Sequence, residues 1–219
     1  DIIMFIDSDC IAASDWIETL VALHQSTDFA AIGGAVLNAN DPKNQVAWAG
    51  YFAEFREFIP ERPQKEVDHI PTCNLSFKSN VLKSMDGFNP DYYPQEDLEL
   101  NYRLLQAGHR ILFYPGAKVY HNHRTTIKSF FAHQKKVGNI TSRMLKILPL
   151  KGSSIARNLF LTTILLPILP GIKWINTFLV FFKYNRQILI EHFPAVFILA
   201  LGLIPWTQGF YLGAIKKVN

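Results

Sequence analysis

Asp1-Ile2-Ile3-Met4-Phe5-Ile6-Asp7-Ser8-Asp9 decides the fold: an apolar strand delivers two carboxylates into the loop at its end. In an open α/β sheet the ligand crevice lies outside such strand ends. If the segment stays extended, Asp7 and Asp9 flank Ser8 and point to the same side. Two carboxylates on one side call for a cation, or for one of them to keep its proton. As hard oxygen donors they suit Mg²⁺ or Mn²⁺. On this stretch alone, a solvated Asp-Ser-Asp turn stays open as the bland reading.

Working outward, the pattern predicts a strand at Ile2–Ile6, then a helix from Asp15 to Gln25 with Ser14 as N-cap. Phe29–Val36 reads as a second strand, in which Gly33-Gly34 permits close backbone approach. Residues 38–70 read as a long irregular excursion, Thr72–Phe77 as a short strand, and Ser79 as the cap of a brief helix ending near Gly87. Tyr92-Tyr93-Pro94 leads into a helix from Glu96 to Ala107, stopped by Gly108. There Leu98, Tyr102 and Leu105 share one face, the expected buried one. Two apolar runs, Arg110–Tyr114 and Ala117–Tyr120, flank Pro115-Gly116, and a basic helix follows from Thr126 to Leu145. Alternating strands and helices predict an α/β domain over residues 1–145.

Residues 146–219 read differently. Residues 1–117 carry 8 Lys/Arg against 17 Asp/Glu, and residues 118–219 carry 14 against the single acid Glu191. The basic part is also the apolar part, which favours an anionic membrane surface over nucleic acid as partner. Leu159–Phe182 and Phe193–Ile215 each match the ~20 residues that cross a bilayer core. Pro167, Pro170, Gly171 and Lys173 interrupt the first, leaving kinked, re-entrant and interfacial readings open. Cations flank both segments, Lys146, Lys151 and Arg157 before and Lys216 and Lys217 after, which slightly favours a hairpin with both ends cytoplasmic. Two core helices of a soluble protein are the alternative. Cys10 and Cys73 lie far apart with no ligand or redox spacing, which predicts reduced, half-buried thiols.

Two further constellations carry chemistry. Glu96 and Asp97 open a helix whose N-terminus stabilises anions, so both should stay ionised near neutral pH. Such a carboxylate beside a cleft can act as general base towards a hydroxyl. The bland alternative is ordinary first-turn acids. His121-Asn122-His123-Arg124 closes a strand, so His121 should emerge at its end as Asp7 does, with His123 on the same side if the segment stays extended. Imidazole added to carboxylates moves the preference from Mg²⁺ towards Mn²⁺, and Arg124 could meet a diphosphate as a bidentate donor. Together the three constellations point to a metal-dependent enzyme handling a diphosphate leaving group. A phosphohydrolase of the haloacid-dehalogenase type also starts from D-x-D, but Ile11 stands where its pattern needs Thr or Val.

The order Phe5-Ile6-Asp7-Ser8-Asp9, Asn74-Leu75-Ser76-Phe77, Gly87-Phe88, Gln95-Glu96-Asp97-Leu98-Glu99-Leu100…Arg103, Val119-Tyr120-His121 resembles family 2 glycosyltransferases. The resemblance implies a GT-A fold, a mixed sheet flanked by helices, followed here by a hydrophobic helical hairpin. It also implies a nucleotide-sugar donor, a glycan or lipid-linked acceptor and inversion at the anomeric carbon. By the same resemblance Asp9 and His121 would hold Mn²⁺ or Mg²⁺, Asp7 would contact the ribose or metal, and Arg124 the diphosphate. Asp97 would be the catalytic base with Glu96 beside it, and Asn74 would lie at the acceptor loop. Gln134-Lys135-Lys136-Val137-Gly138 lacks the Arg and Trp of the Q-x-x-R-W run of processive synthases, which favours transfer of a single sugar. The family pattern also predicts strand–helix units before Asp1, roughly 60–90 residues at ~30 each. Without them, a non-catalytic membrane-anchored sugar- or nucleotide-binding module, or a decayed enzyme, is the alternative.

Overall fold

The computed structural model describes residues 1–93 and 95–216; Pro94 in the lead into the Glu96 helix and Lys217 among the flanking cations lie outside the described residues. The chain forms two compact units, Asp1–Ala39 with Glu57–Asn122, and Asn40–Arg56 with His123–Asn219.

The first unit is built on a mixed sheet of β1 (Ile2–Phe5), β2 (Cys10–Ala12), β3 (Ala31–Asn38), β4 (Lys65–Val67), β5 (Leu75–Lys78) and β6 (Ile111–His121). Its order is β1-β5-β3-β6-β2, with β4 also on β6. β3 and β6 run parallel, and the other pairs are antiparallel. This is the mixed, helix-flanked sheet that the sequence predicts. Ala31, Ile32, Ala35 and Val36 of β3 are fully buried, as a central strand requires. Gly33 and Gly34 permit the close approach expected of them: a Cβ on either would overlap the carbonyl oxygen of Asn74 or of Ala117. The two apolar runs either side of Pro115-Gly116 form one strand, because β6 absorbs the extra residues opposite Gly34/Ala35 as an irregularity in register.

Helices α1 (Trp16–Ser26), α3 (Ser79–Ser84) and α4 (Glu96–Gln106) complete this unit. Asp15 rather than Ser14 occupies the N-cap of α1, without a side-chain capping bond. On α4 the buried positions are Glu99, Leu100, Asn101 and Leu104, whereas Leu98, Tyr102 and Leu105 are only partly covered. Helical periodicity fits either stripe, and burial went to the one bearing a charge because that charge has a partner. Arg103 Nε and Nη2 grip Glu99 Oε1 and Oε2 at 2.7 and 2.9 Å. The same guanidinium donates to the carbonyls of Met85 and Gly87 in the left-handed turn after α3, with φ of 58° at Asp86 and 64° at Gly87.

In the second unit, the stretch expected to be irregular contains a helix, α2 (Gln45–Glu54). Asn44 caps it, its Oδ1 accepting from the N–H groups of Val46 and Ala47. Its run Val46-Ala47-Trp48-Ala49-Gly50-Tyr51-Phe52-Ala53 is apolar on nearly every side, so no periodic stripe marked it. Burial supplies the drive, since Ala47, Ala49, Tyr51 and Phe52 are almost wholly covered. Then come α5 (Ile127–Ile147), α6 (Ser153–Arg157), α7 (Leu159–Leu165), α8 (Leu169–Tyr184), α9 (Arg186–Glu191) and α10 (Phe193–Ile215). The first apolar segment is thus two helices, α7 and α8, bent by 64°, while the second is the single helix α10, long and apolar enough to cross a membrane. α10 packs along α5 backbone to backbone. A Cβ on Gly138 would strike the Trp206 carbonyl, and one on Gly209 the Lys135 carbonyl. Small residues at such spacing let helix axes approach closely.

Candidate active site

The first unit gathers Asp7, Asp9, Glu96, Asp97 and His121. The Asp7–Asp9 segment is not extended; Cys10 N donates to Asp7 O at 3.0 Å, closing a turn that hands the chain from β1 to β2. β2 then pairs with the end of β6, placing Cys10 opposite His121. Asn122 N donates to Asp9 O at 2.8 Å and holds the turn in place. As a result His121 Nε2 lies 3.6 Å from Asp9 Oδ1, the imidazole buried and the carboxylate half exposed.

The carboxylates influence one another. Burial pushes the Asp7 carboxyl up, and the charges of Asp9 and Asp97 add to this while His121 opposes it. Glu96 is also pushed up, first by burial and further by Asp97 and Asp7, with its own backbone N–H opposing. Asp97 behaves differently. Burial alone would raise it, but His69 and the N–H groups of Leu98 and Thr72 outweigh burial and hold it below the usual carboxylate value. His69 Nε2 stands 3.8 Å from Asp97 Oδ2, and Leu98 N and Thr72 N donate at 2.6 and 3.3 Å. The expectation that both first-turn acids favour the ionised form therefore fits Asp97 better than Glu96. His69 went unnoticed in the sequence, where it sits in a charge-rich loop with no motif around it.

Asn74 does not sit at an open acceptor loop. It is fully buried in a 3₁₀ turn (Thr72–Asn74), and its Nδ2 donates to the Ala35 and Ala117 carbonyls, each at 2.9 Å. Its Oδ1 accepts from Trp16 Nε1 at 2.8 Å. That amide ties β3, β6 and α1 together, a structural role for Asn74. Arg124 falls in the second unit, exposed, where its charge helps hold the Glu54 carboxylate down. His123 does not join His121: it is buried in the second unit, with Nδ1 3.7 Å from Glu54 Oε2. Glu54 also takes His133 Nε2 at 2.8 Å, and although burial opposes it these partners bring it down to about 2.

The donor set fits a divalent cation. Asp9, Cys10 and His121 each offer a ligand atom, and the three atoms lie within 4.8 Å of one another. Cys10 and Cys73 are both free thiols, as expected, Cys10 half-buried and Cys73 fully buried, and the fold makes them neighbours. Sequence distance hid this because β2 and the 3₁₀ turn meet only in the folded sheet.

The first unit is thus a mixed sheet with acids gathered at its strand ends, one of them facing an imidazole. The chain belongs to the family described as "Glycosyltransferase like family 2", whose pattern it matches over residues 1–137. It is similar to the pre-mycofactocin glycosyltransferase of Mycobacterium tuberculosis, 25% identical over 142 residues, covering 63% of this chain and 30% of that protein. It is also similar to the glucosyl-dolichyl phosphate glucuronosyltransferase of Haloferax volcanii, 26% identical over 144 residues, covering 55% and 42%. The chain thus spans well under half the length of these relatives.

Proposed function

We propose that this protein transfers a sugar from a nucleoside-diphosphate donor to a hydroxyl of a glycan or lipid-linked acceptor, with inversion, in cell-surface glycan or lipid-linked oligosaccharide synthesis. The observation that carries the reading is the convergence of Asp7, Asp9, Glu96 and Asp97 on one region with His121 among them. So much negative charge beside an imidazole is best offset by a divalent cation, which in turn can attract a diphosphate. Asp9 and His121 would hold Mn²⁺ or Mg²⁺, which when bound neutralises charge on the departing nucleoside diphosphate. Asp7 contacts the ribose or the metal.

Asp97 takes the proton from the acceptor hydroxyl. Held ionised by His69, Thr72 and Leu98, it is ready to accept that proton, and its place in the first turn of α4 fixes its direction. Glu96 lies beside it and shapes the acceptor side. For the test, the full chain in detergent is incubated with a panel of nucleotide-sugars, and free nucleoside diphosphate is measured with Mn²⁺, with Mg²⁺ and with chelator. Metal-dependent release is expected, falling by about 10²–10⁴ in Asp97→Asn. A full rate in that variant overturns the base assignment, and no release with any donor supports a binding module instead.

The second unit holds the protein at a membrane, with the catalytic region on the cytoplasmic side. On α8, Ile168 just before it and Ile172, Ile175, Leu179 and Phe182 within it are about half exposed and recur at helical spacing, forming one apolar stripe. Lys183 and Arg186 follow at the end of that stripe. Apolar stripes ending in cations suit the interface of an anionic bilayer. α10 shares its length with α5, whose Lys128, Lys135, Lys136 and Arg143 are exposed, so lipid contact through α8 requires no burial of those charges.

A further inference from the structure

We infer that Cys10 is a third protein donor at the Asp9–His121 cation site, so that the site takes borderline metals such as Zn²⁺ or Co²⁺ through oxygen, nitrogen and sulfur together. This rests on the reading of Asp9 and His121 as metal ligands given above. Three observations on the chain itself carry it. Cys10 and His121 are direct partners across the antiparallel β2–β6 pair, and residues so paired project their side chains to the same face. The turn before β2 brings the Asp9 carboxylate to 3.6 Å from the imidazole. The carboxylate oxygen, the sulfur and the ring nitrogen then lie within 4.8 Å of one another, a spacing that one ion can bridge.

The neighbouring strand position argues the same way. Ile11 is 60% exposed on the opposite face, whereas Cys10 is partly covered beside a buried imidazole. The Cys73 thiol, buried and neighbouring Cys10, has a role in this arrangement. Once the Cys10 sulfur is a metal-bound thiolate it can only accept a hydrogen bond, so Cys73 donates its S–H and orients it. Partners of this outer kind fix a ligand's direction. On binding, the S–H bond of Cys10 breaks, a metal–sulfur bond forms and one proton goes to solvent; no electron changes hands. Thiolate is a soft donor and two hard carboxylates alone would favour Mg²⁺, so the sulfur moves the preference towards the borderline metals.

The experiment is a Co²⁺ titration of the full chain in detergent under reducing conditions, read by absorption and backed by calorimetry. The wild type should develop a sulfur-to-cobalt charge-transfer band in the near ultraviolet that saturates at one equivalent. Zn²⁺ should bleach it. Cys10→Ser should lose the band and weaken binding by no less than the ~10-fold that outer-shell changes already cost. Cys73→Ser should keep the band, and Asp9→Asn and His121→Ala should each weaken both band and binding. Binding without a sulfur band in the wild type overturns the Cys10 assignment and leaves the Asp9–His121 site standing. A band lost in Cys73→Ser but kept in Cys10→Ser also overturns it, as does a band indifferent to Asp9 and His121. Absence of calorimetric binding by Co²⁺, Mn²⁺ and Mg²⁺ alike overturns the metal reading itself, and this inference with it.

Discussion

Arg103→Ala tests how the candidate base is held. The guanidinium makes a two-pronged pair with Glu99 and reaches two carbonyls of the turn after α3. Removing it leaves the Glu99 carboxylate without its cation where its side chain is only 9% exposed. Breaking a fully buried pair costs about 3–5 kcal/mol, whereas an exposed pair is worth about 0–1. The Arg103 side chain is 30% exposed, so this pair falls between those limits. The lost charge-assisted bonds to the carbonyls bring the expected destabilisation to about 2–4 kcal/mol. Urea denaturation followed by tryptophan fluorescence reads the change. Donor turnover should fall as well, because Asp97 sits six residues earlier on the same helix. Adding Glu99→Gln to Arg103→Ala should recover part of the loss, since it removes the stranded charge. A single variant within about 0.5 kcal/mol of wild type, or a double variant as unstable as the two singles combined, would refute the reasoning.

Other outcomes follow from the same geometry. His24 Nε2 bonds Ser76 Oγ at 2.9 Å while that hydroxyl donates to the Ile32 carbonyl, which makes Nε2 the protonated nitrogen of a neutral ring. Burial first, and Lys78 second, push His24 down from 6.5 to about 4. Between those values the unfolded chain takes up a proton that the native state refuses, so stability should fall as pH drops from 6.5 to 4. The loss should reach at most about 3 kcal/mol, and a His24→Gln variant with the same slope over that range would count against the assignment. Gly209→Val should force α10 off α5, because its Cβ would meet the Lys135 carbonyl, at a cost of about 1–3 kcal/mol or more. Unchanged resistance to limited proteolysis between α9 and α10 would contradict that packing.

The elements that carry the candidate site were legible before folding. The D-x-D after a strand, the acids opening α4 and the imidazole ending β6 each show in local pattern, because strand ends and helix first turns impose their chemistry on nearby residues. α10 matches its predicted bounds, Phe193–Ile215, since a long apolar run needs no partner to be recognised. What stayed hidden depended on residues far apart in sequence. His69 became a partner of Asp97, Cys73 met Cys10, and Glu54 drew in His123 and His133. The buried Asn74 amide makes three long-range hydrogen bonds that no local pattern announces.

The α4 stripe shows most plainly where the division lies. The sequence by itself determined that Glu96–Gln106 is helical and that acids open it, since both follow from short-range preference. Which side of that helix turned inward was decided only by the tertiary structure. The polar face carrying Glu99 and Asn101 could be buried because Arg103 and the Ile70 carbonyl were there to satisfy it. A buried charge is tolerable only where the fold delivers its partner, and hydrophobic periodicity contains no information about where that partner will be.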